Sequence, residues 1–172
     1  MNELGAVLHP CANLPVAVND LNGQLTLVAT AFIPAGLPVI QITGKLTTAP
    51  SRFSVQVGLD RHVDVDDPTL VEAYPERYLW RFLNHRCTPN AFVRGQELVA
   101  LKPIYAEDEI SFNYNANEYQ MASPFECWCD AHGGRTGFQV RGYKYLSETE
   151  QFAIRHQVSA HVLTLAKEDG PR

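Results

Sequence analysis

Two short stretches hold most of the side chains that could do chemistry. Residues 81–90 read RFLNHRCTPN and residues 109–115 read EISFNYN. Asn84 offers donors and an acceptor, His85 an imidazole, Cys87 a thiol and Tyr114 a phenol. Taken one at a time these residues say little, because an isolated Tyr usually closes a strand and packs in a core. A third stretch, PFECWC, carries Cys127 and Cys129 as a C-x-C pair. Two cysteines that close are no disulfide framework. In a reducing compartment they mean a metal or nothing, and two ligands alone do not complete a structural zinc site. The fourth cysteine is Cys11. The nearby HGGRTG is a weak phosphate-loop cue, and no G-x-x-x-x-G-K-[ST] accompanies it, so that reading is rejected.

The elements that must position these residues are short strands. VAVND (16–20), QLTLVATAFI (24–33) and LPVIQITGKL (37–46) are separated by turn chemistry at Asn22-Gly23 and at Pro34-Ala35-Gly36. RFSVQVG (52–58) alternates polar and apolar residues, a half-buried strand, and VDVDDP ends in an acidic turn. Residues 69–83 read as helical turns broken near Pro75. NHRCTPN reads as a loop, NAFVRGQELVALKPI as a hairpin turning at Arg94-Gly95, and EISFNYN as a strand. Residues 115–142 are irregular. Ser147 and Glu150 fit a capping box that opens one C-terminal helix, with Ile154, Val158, Val162 and Leu165 on one face and Gly170 as the stop.

The 172 residues suit one domain with a sizeable core. Hydrophobic content of 45% and charged content of 19% are ordinary for a soluble protein. A net charge of −5 leaves no electrostatic footprint for nucleic-acid phosphates and is only a weak cue for a basic peptide. No apolar run is long enough to cross a membrane, and MNELGAVLHP lacks a signal-peptide pattern, so a cytoplasmic protein is expected.

Taken together, the motifs are specific. RFLNHRCTPN resembles the R-F-x-N-H-S-C-x-P-N motif of SET domains. AEDEISFNYN is similar to that family's G-E-E-L-T-F-D-Y, and PFECWC to the start of its cysteine-rich post-SET segment. VRGYKYL is similar to that segment's ending, and LTLVATAFIPAGLPVIQITGKL to the family's opening. The resemblance runs from about residue 16 to 146. It implies a mainly β protein with a few short helices, a β-clip in which NHRCTPN and EISFNYN cross in a pseudoknot. The implied organisation is a SET domain at 1–115, a post-SET-like segment at 116–146 and a C-terminal helix at 147–172.

The activity implied is methyl transfer from S-adenosylmethionine (AdoMet) to a lysine amine of a protein or peptide. In-line displacement needs sulfur, methyl and nitrogen held collinear. The amine must be neutral, although a free lysine has a pKa of about 10.4. An aromatic channel would restrict the approach and disfavour the ammonium. By resemblance Tyr114 lies beside the methyl and the amine, where its oxygen can accept weak C–H···O contacts. Phe112, expected on the same face of the strand, would leave room for di- or trimethylation. Asn84, His85 and Arg81 would bind or support AdoMet together with Gly23 and Leu25, and Phe125 and Trp128 would cover the adenine.

The chain departs from the family at four places. The G-x-G is replaced by Asn22-Gly23-Gln24-Leu25. Arg86 stands where the family has a small hydroxyl. The third post-SET cysteine is Gly134, leaving Cys87, Cys127 and Cys129 with His132 as the implied fourth zinc ligand. The segment after Cys129 is about two residues longer than usual. Two other functions stay open on the sequence: a catalytically impaired peptide-binding module, and a methyltransferase for a small-molecule amine. The oligomeric state is not legible.

Overall fold

A computed structural model of the chain describes residues 7–10, 13–21, 23–132 and 137–170. Cys11, Asn22 and Gly134 lie outside the described residues. The strands in chain order are β1 (Val7–Pro10), β2 (Val16–Leu21), β3 (Gln24–Ala29), β4 (Pro38–Gln41), β5 (Lys45–Thr47), β6 (Val55–Gly58) and β7 (Arg61–Asp64). They continue as β8 (Asn84–His85), β9 (Ala91–Arg94), β10 (Glu97–Ala100), β11 (Ser111–Phe112), β12 (Phe125–Cys127) and β13 (Phe138–Val140). The helices are α1 (Leu70–Ala73), α2 (Tyr114–Asn117), α3 (Glu148–Ile154) and α4 (Ala160–Asp169), with 3-10 turns at Pro75–Arg77 and Leu79–Phe82.

The strands form several small sheets. Three are three-stranded, ordered β1-β2-β3, β4-β10-β9 and β5-β7-β6, and β12 pairs with β13. The expected hairpins at Gly23 and Arg94-Gly95 form, with both glycines at positive φ, +82° and +62°. The core gathers Val16, Val18, Leu27, Ile40, Val93 and Leu98 from the strands, with Ile42, Ile104 and Ile110 from the segments beside them.

The crossing of the two motif segments is the feature that builds the site. β8 and β11 pair in parallel, Ser111 opposite Asn84 and Phe112 opposite His85. Parallel pairing over two residues is weak by itself, and Asn90 reinforces it. The Asn90 amide donates to the Glu109 carbonyl at 2.8 Å, and its oxygen accepts the Ser111 N–H at 3.0 Å. The last residue of NHRCTPN thus holds the crossing strand in place.

Three local expectations change. Asn84–His85 is strand rather than loop. The EISFNYN strand stops at Phe112. Asn113 caps α2 by accepting the Asn115 N–H, so Tyr114 opens a helix instead of sharing a strand face with Phe112. The C-terminal helix is two helices. The Ser147–Glu150 capping box opens α3, but the chain breaks before α4. The break lets Ser159 turn inward, where its hydroxyl lies 2.8 Å from the Val93 carbonyl and 2.8 Å from Asn117 Oδ1. Satisfying those buried acceptors outweighs continuing the helix.

Candidate active site and candidate metal centre

A cleft of about 1130 Å³ runs past β8, β11 and α2 and is closed on one side by residues 121–130. Leu25, Arg81, Asn84, His85, Phe112, Tyr114, Phe125, Cys127, Trp128 and Cys129 all line it. Residues from chain positions 25 to 129 are thereby brought to the walls of one cleft.

Asn84 is fixed by three polar partners from two segments, β3 and the stretch before β11. Its amide donates to Glu109 Oε1 at 2.8 Å and to Thr26 Oγ1 at 3.0 Å, and its oxygen accepts from the Gln24 amide at 2.8 Å. Arg86 closes the set. Its Nη2 and Nε donate to Glu109 Oε2 at 3.0 and 3.3 Å, so the residue out of keeping with the motif pairs with an acidic group. Burial pushes the Glu109 carboxyl up, but donation from Asn84, Arg86 and Thr26 outweighs it and leaves the pKa below the usual value.

His85 connects the two halves of the site. Its Nδ1 accepts the Tyr114 backbone N–H at 3.1 Å, which leaves the proton of the neutral ring on Nε2, 3.2 Å from Cys87 Sγ. Burial, with repulsion from His132, pushes its pKa down to about 4. The Tyr114 ring meets Phe112 at 4.7 Å between centroids, and Phe125 stands edge-on to it at 5.9 Å. The Tyr114 hydroxyl donates to the Leu83 carbonyl at 2.6 Å. Burial raises its pKa well above the phenol range, against a lowering by Arg81. The phenol is therefore neutral, with its oxygen lone pairs free to accept.

Arg81 stands apart from the Asn84 cluster. Its guanidinium lies 4.1 Å over the Phe53 ring, and its buried Nε has no partner among the described residues. Gly23 does not line the cleft. Its N–H is taken by Asp20 Oδ1 at 2.6 Å, and space beside its Cα is open, so the glycine serves the positive φ of the turn. Trp128 is 57% exposed on the cleft rim. Gln24, Thr26 and Glu109 complete the Asn84 cluster without having been singled out from sequence. A cross-strand bond between residues 83 apart, such as Thr26 to Glu109, leaves no local signal. Glu118, one helical turn after Tyr114, also lines the cleft and was not singled out.

The ligating atoms of Cys87, Cys127, Cys129 and His132 all lie within 4.8 Å of one another. His132 Nε2 sits 2.9 Å from Cys87 Sγ, and its ring stacks on Phe138 at 4.7 Å and 5°. Tetrahedral zinc with bonds of about 2.0–2.3 Å separates its ligand atoms by roughly 3.3–3.8 Å. The four donors fit such an ion with shifts of about 1 Å or less, the widest pairs closing and the His132–Cys87 pair opening. Without it, burial and then Cys127 drive the Cys87 thiol upward, and a bound cation reverses that balance. The β12–β13 unit that carries Cys127, Cys129 and His132 is held to α2 from its far end. Asn115 Oδ1 accepts the N–H groups of Gly142 at 2.8 Å and of Arg141 at 3.2 Å. Gly142 has φ +110°, and a Cβ there would come within 2.7 Å of the Tyr119 carbonyl oxygen.

Comparison with known proteins points to one family. A histone-lysine N-methyltransferase, H3 lysine-36 specific, of Chaetomium globosum is 29% identical over 133 residues, 69% of this chain and 15% of the relative. A protein of the same description from Aspergillus oryzae is 38% identical over 80 residues, 38% of this chain and 8% of the relative. The chain thus spans a small part of the length of the curated relatives it matches. Among solved structures, KRYPTONITE in complex with mCHG DNA and SAH superposes with a TM-score of 0.51 at 18% identity, covering 72% of this chain and 29% of that one. Residues 24–115, more than half of the sequence, match the family model of the SET domain. They include both crossing segments and Tyr114, and the chain belongs to the SET-domain family.

Proposed function

We propose that the protein transfers methyl groups from AdoMet to the side-chain amine of a lysine in a protein or peptide. The observation that carries the reading is the shared wall of one cleft. The polar cluster on Asn84 and the aromatic pair Phe112–Tyr114 line the same space, joined through His85. The names of the two fungal relatives support the reaction, and the SAH bound to KRYPTONITE supports the cofactor.

AdoMet supplies an electrophilic methyl on a sulfonium. Asn84, Gln24 and Leu25 would face its amino-acid end, and His85, Phe125 and Trp128 its adenine. The phenol oxygen of Tyr114, already donating its proton to Leu83, accepts from a polarised methyl and from the amine, aligning them for in-line displacement. Phe112 brings no hydroxyl to the pocket, which favours di- or trimethylation. The post-SET-like segment, assigned to 116–146, would act as a lid and take zinc on Cys87, Cys127, Cys129 and His132, whose ligating atoms lie together.

The test is a labelled-methyl assay with AdoMet on core histones and on a lysate, with calorimetric titration of SAH alongside. Methyl incorporation into lysine is expected. SAH binding without transfer to any protein would overturn the reading, and a folded protein that does not bind SAH would mark a peptide-binding module.

A further inference from the structure

We propose that Glu118 is a catalytic residue of this site, its Oε2 accepting the proton of the substrate ammonium inside the cleft before the methyl moves. The inference rests on the lysine-methylation reading given above.

A lysine ammonium has no lone pair, so the proton must leave before the nitrogen can attack. Tyr114 does not take it, because its phenol is neutral and its own proton is committed to Leu83. His85 has one nitrogen on the Tyr114 N–H and the other on Cys87. Both oxygens of Glu109 are occupied, by Asn84 and Thr26 on one and by Arg86 on the other. Glu126 and Asp130 sit exposed at the rim.

Glu118 differs from all of these. The residue is 9% exposed yet lines the cleft. Its backbone N–H donates to the Tyr114 carbonyl at 2.8 Å, so carboxyl and phenol are carried by the same helical turn. Oε1 is engaged, accepting the Gln56 N–H at 2.7 Å and the Asn117 amide at 3.4 Å. Among the described residues Oε2 meets no hydrogen-bond donor, His62 Nε2 standing 3.8 Å away. The half of the carboxylate left without a donor is the half available to a cation in the cleft.

The groups around it are few. From β7 comes His62, whose Nδ1 is buried without a partner among the described residues and whose pKa burial lowers, against Asp60. From α2 itself comes Tyr114, whose phenol Glu118 helps to push upward, and Arg81 lines the same cleft. From α4 comes His161, bound through Nε2 to the Asn117 carbonyl at 2.8 Å. Burial raises the Glu118 carboxyl to about 7, against lowering by Gln56 and Asn117. A base of that strength is ionised for half of the molecules at neutral pH and takes a proton readily.

The step balances. An N–H bond of the ammonium breaks as an O–H bond forms on Oε2. The freed lone pair attacks the methyl carbon, and the C–S pair returns to sulfur as a thioether. The methylated nitrogen carries the positive charge, and Glu118 returns its proton to water as product leaves.

The test measures kcat and kcat/KM against pH for the full chain with labelled AdoMet and a lysine-bearing histone H3 peptide, in wild type, E118Q and E118D. Wild type is expected to show an acidic limb with a midpoint near pH 7. E118Q keeps the Oε1 acceptor, so its melting temperature and SAH affinity should match wild type. Its kcat at pH 7 should fall by about 10²-fold, and its acidic limb should vanish. E118D should retain a limb, displaced in pH; an E118D profile superposable on a limbless E118Q profile overturns the proposal even where E118Q is unstable. An E118Q protein that loses rate but keeps the limb also overturns it, as a structural effect. E118Q with wild-type kcat sinks the proposal and leaves methylation standing. Wild type that moves no methyl to any lysine sinks the methylation reading, and the proposal falls with it.

Discussion

The hydroxyl of Tyr114 donates to the main-chain carbonyl of Leu83 at 2.6 Å. Leu83 immediately precedes Asn84, so the phenol is tethered to the strand that carries the Asn84 cluster. The tether fixes where the phenol lone pairs point, and burial keeps the group from ionising. Tyr114→Phe is therefore expected to separate fold from activity. Loss of one hydrogen bond should cost about 1 kcal/mol of stability, a drop of a few degrees in melting temperature. Loss of a preorganised acceptor at the reacting atoms should cost about 10²-fold in methyl transfer. Thermal melts and labelled-methyl rates on the same samples check both. A wild-type rate in the variant would remove Tyr114 from the mechanism.

Glu109 joins Asn84 to Arg86, which makes a pH prediction. Its carboxyl titrates below the ordinary glutamate value, so its folded pKa lies under its unfolded one. Stability from such a group is present above the unfolded pKa and lost as pH falls through the folded one. Glu109→Gln should then be less stable than wild type at pH 7. The difference should shrink steadily as pH drops through the acidic range and close once both side chains are neutral. Melting temperatures across that range check the sign. At pH 7 the same variant should bind SAH about 10-fold more weakly, because Asn84 loses its charged anchor, a change of about 1.4 kcal/mol.

Ser159 ties the C-terminal segment to the helix behind Tyr114. Its N–H donates to the Ala116 carbonyl at 2.9 Å, and its hydroxyl reaches Val93 and Asn117. The single hydroxyl proton is shared between two buried acceptors, one at a time, so removing it takes away the donor that either would use. Ser159→Ala should cost about 1–3 kcal/mol. It should also reduce methyl transfer, although residue 159 lies outside the matched SET region. An equally active and equally stable variant would show that α4 is only packed against the core.

The crossing segments were the legible part of this protein, because their residue types are demanded by geometry. Asn90 clips a two-residue parallel ladder that has little stability of its own, and Asn113 caps the turn that presents Tyr114. Other features leave no local trace. Arg86 reads as a misfit until Glu109 is placed beside it. Glu118 looks like a surface residue because nothing nearby in sequence announces Gln56, which supplies its donor from 62 positions away. The C-terminal apolar spacing runs on through residues 155–159, and only the buried acceptors at Val93 and Asn117 explain why the helix stops and restarts. Gly23 carries the opposite lesson, for its conformation answers to a turn and not to the cleft.

His132 is the residue on which the metal reading turns. Cys127 and Cys129 arrive on and just after β12, Cys87 on the loop after β8, and His132 on a 3-10 turn. A Cys3His set is a stable zinc ligation, and its ion would link the lid to His85 through Cys87. The purified protein is expected to carry about one zinc per chain by elemental analysis. Chelation should lower both the melting temperature and SAH affinity, since Phe125 and Trp128 lie on the same hairpin and its approach. His132→Ala should bind zinc more weakly, while His132→Cys, a fourth thiolate, should hold it at least as well as wild type. Zinc retained in full by His132→Ala would place the fourth ligand elsewhere, and a protein purified metal-free with an ordered lid would show that packing of Phe125, Trp128 and Tyr143 suffices.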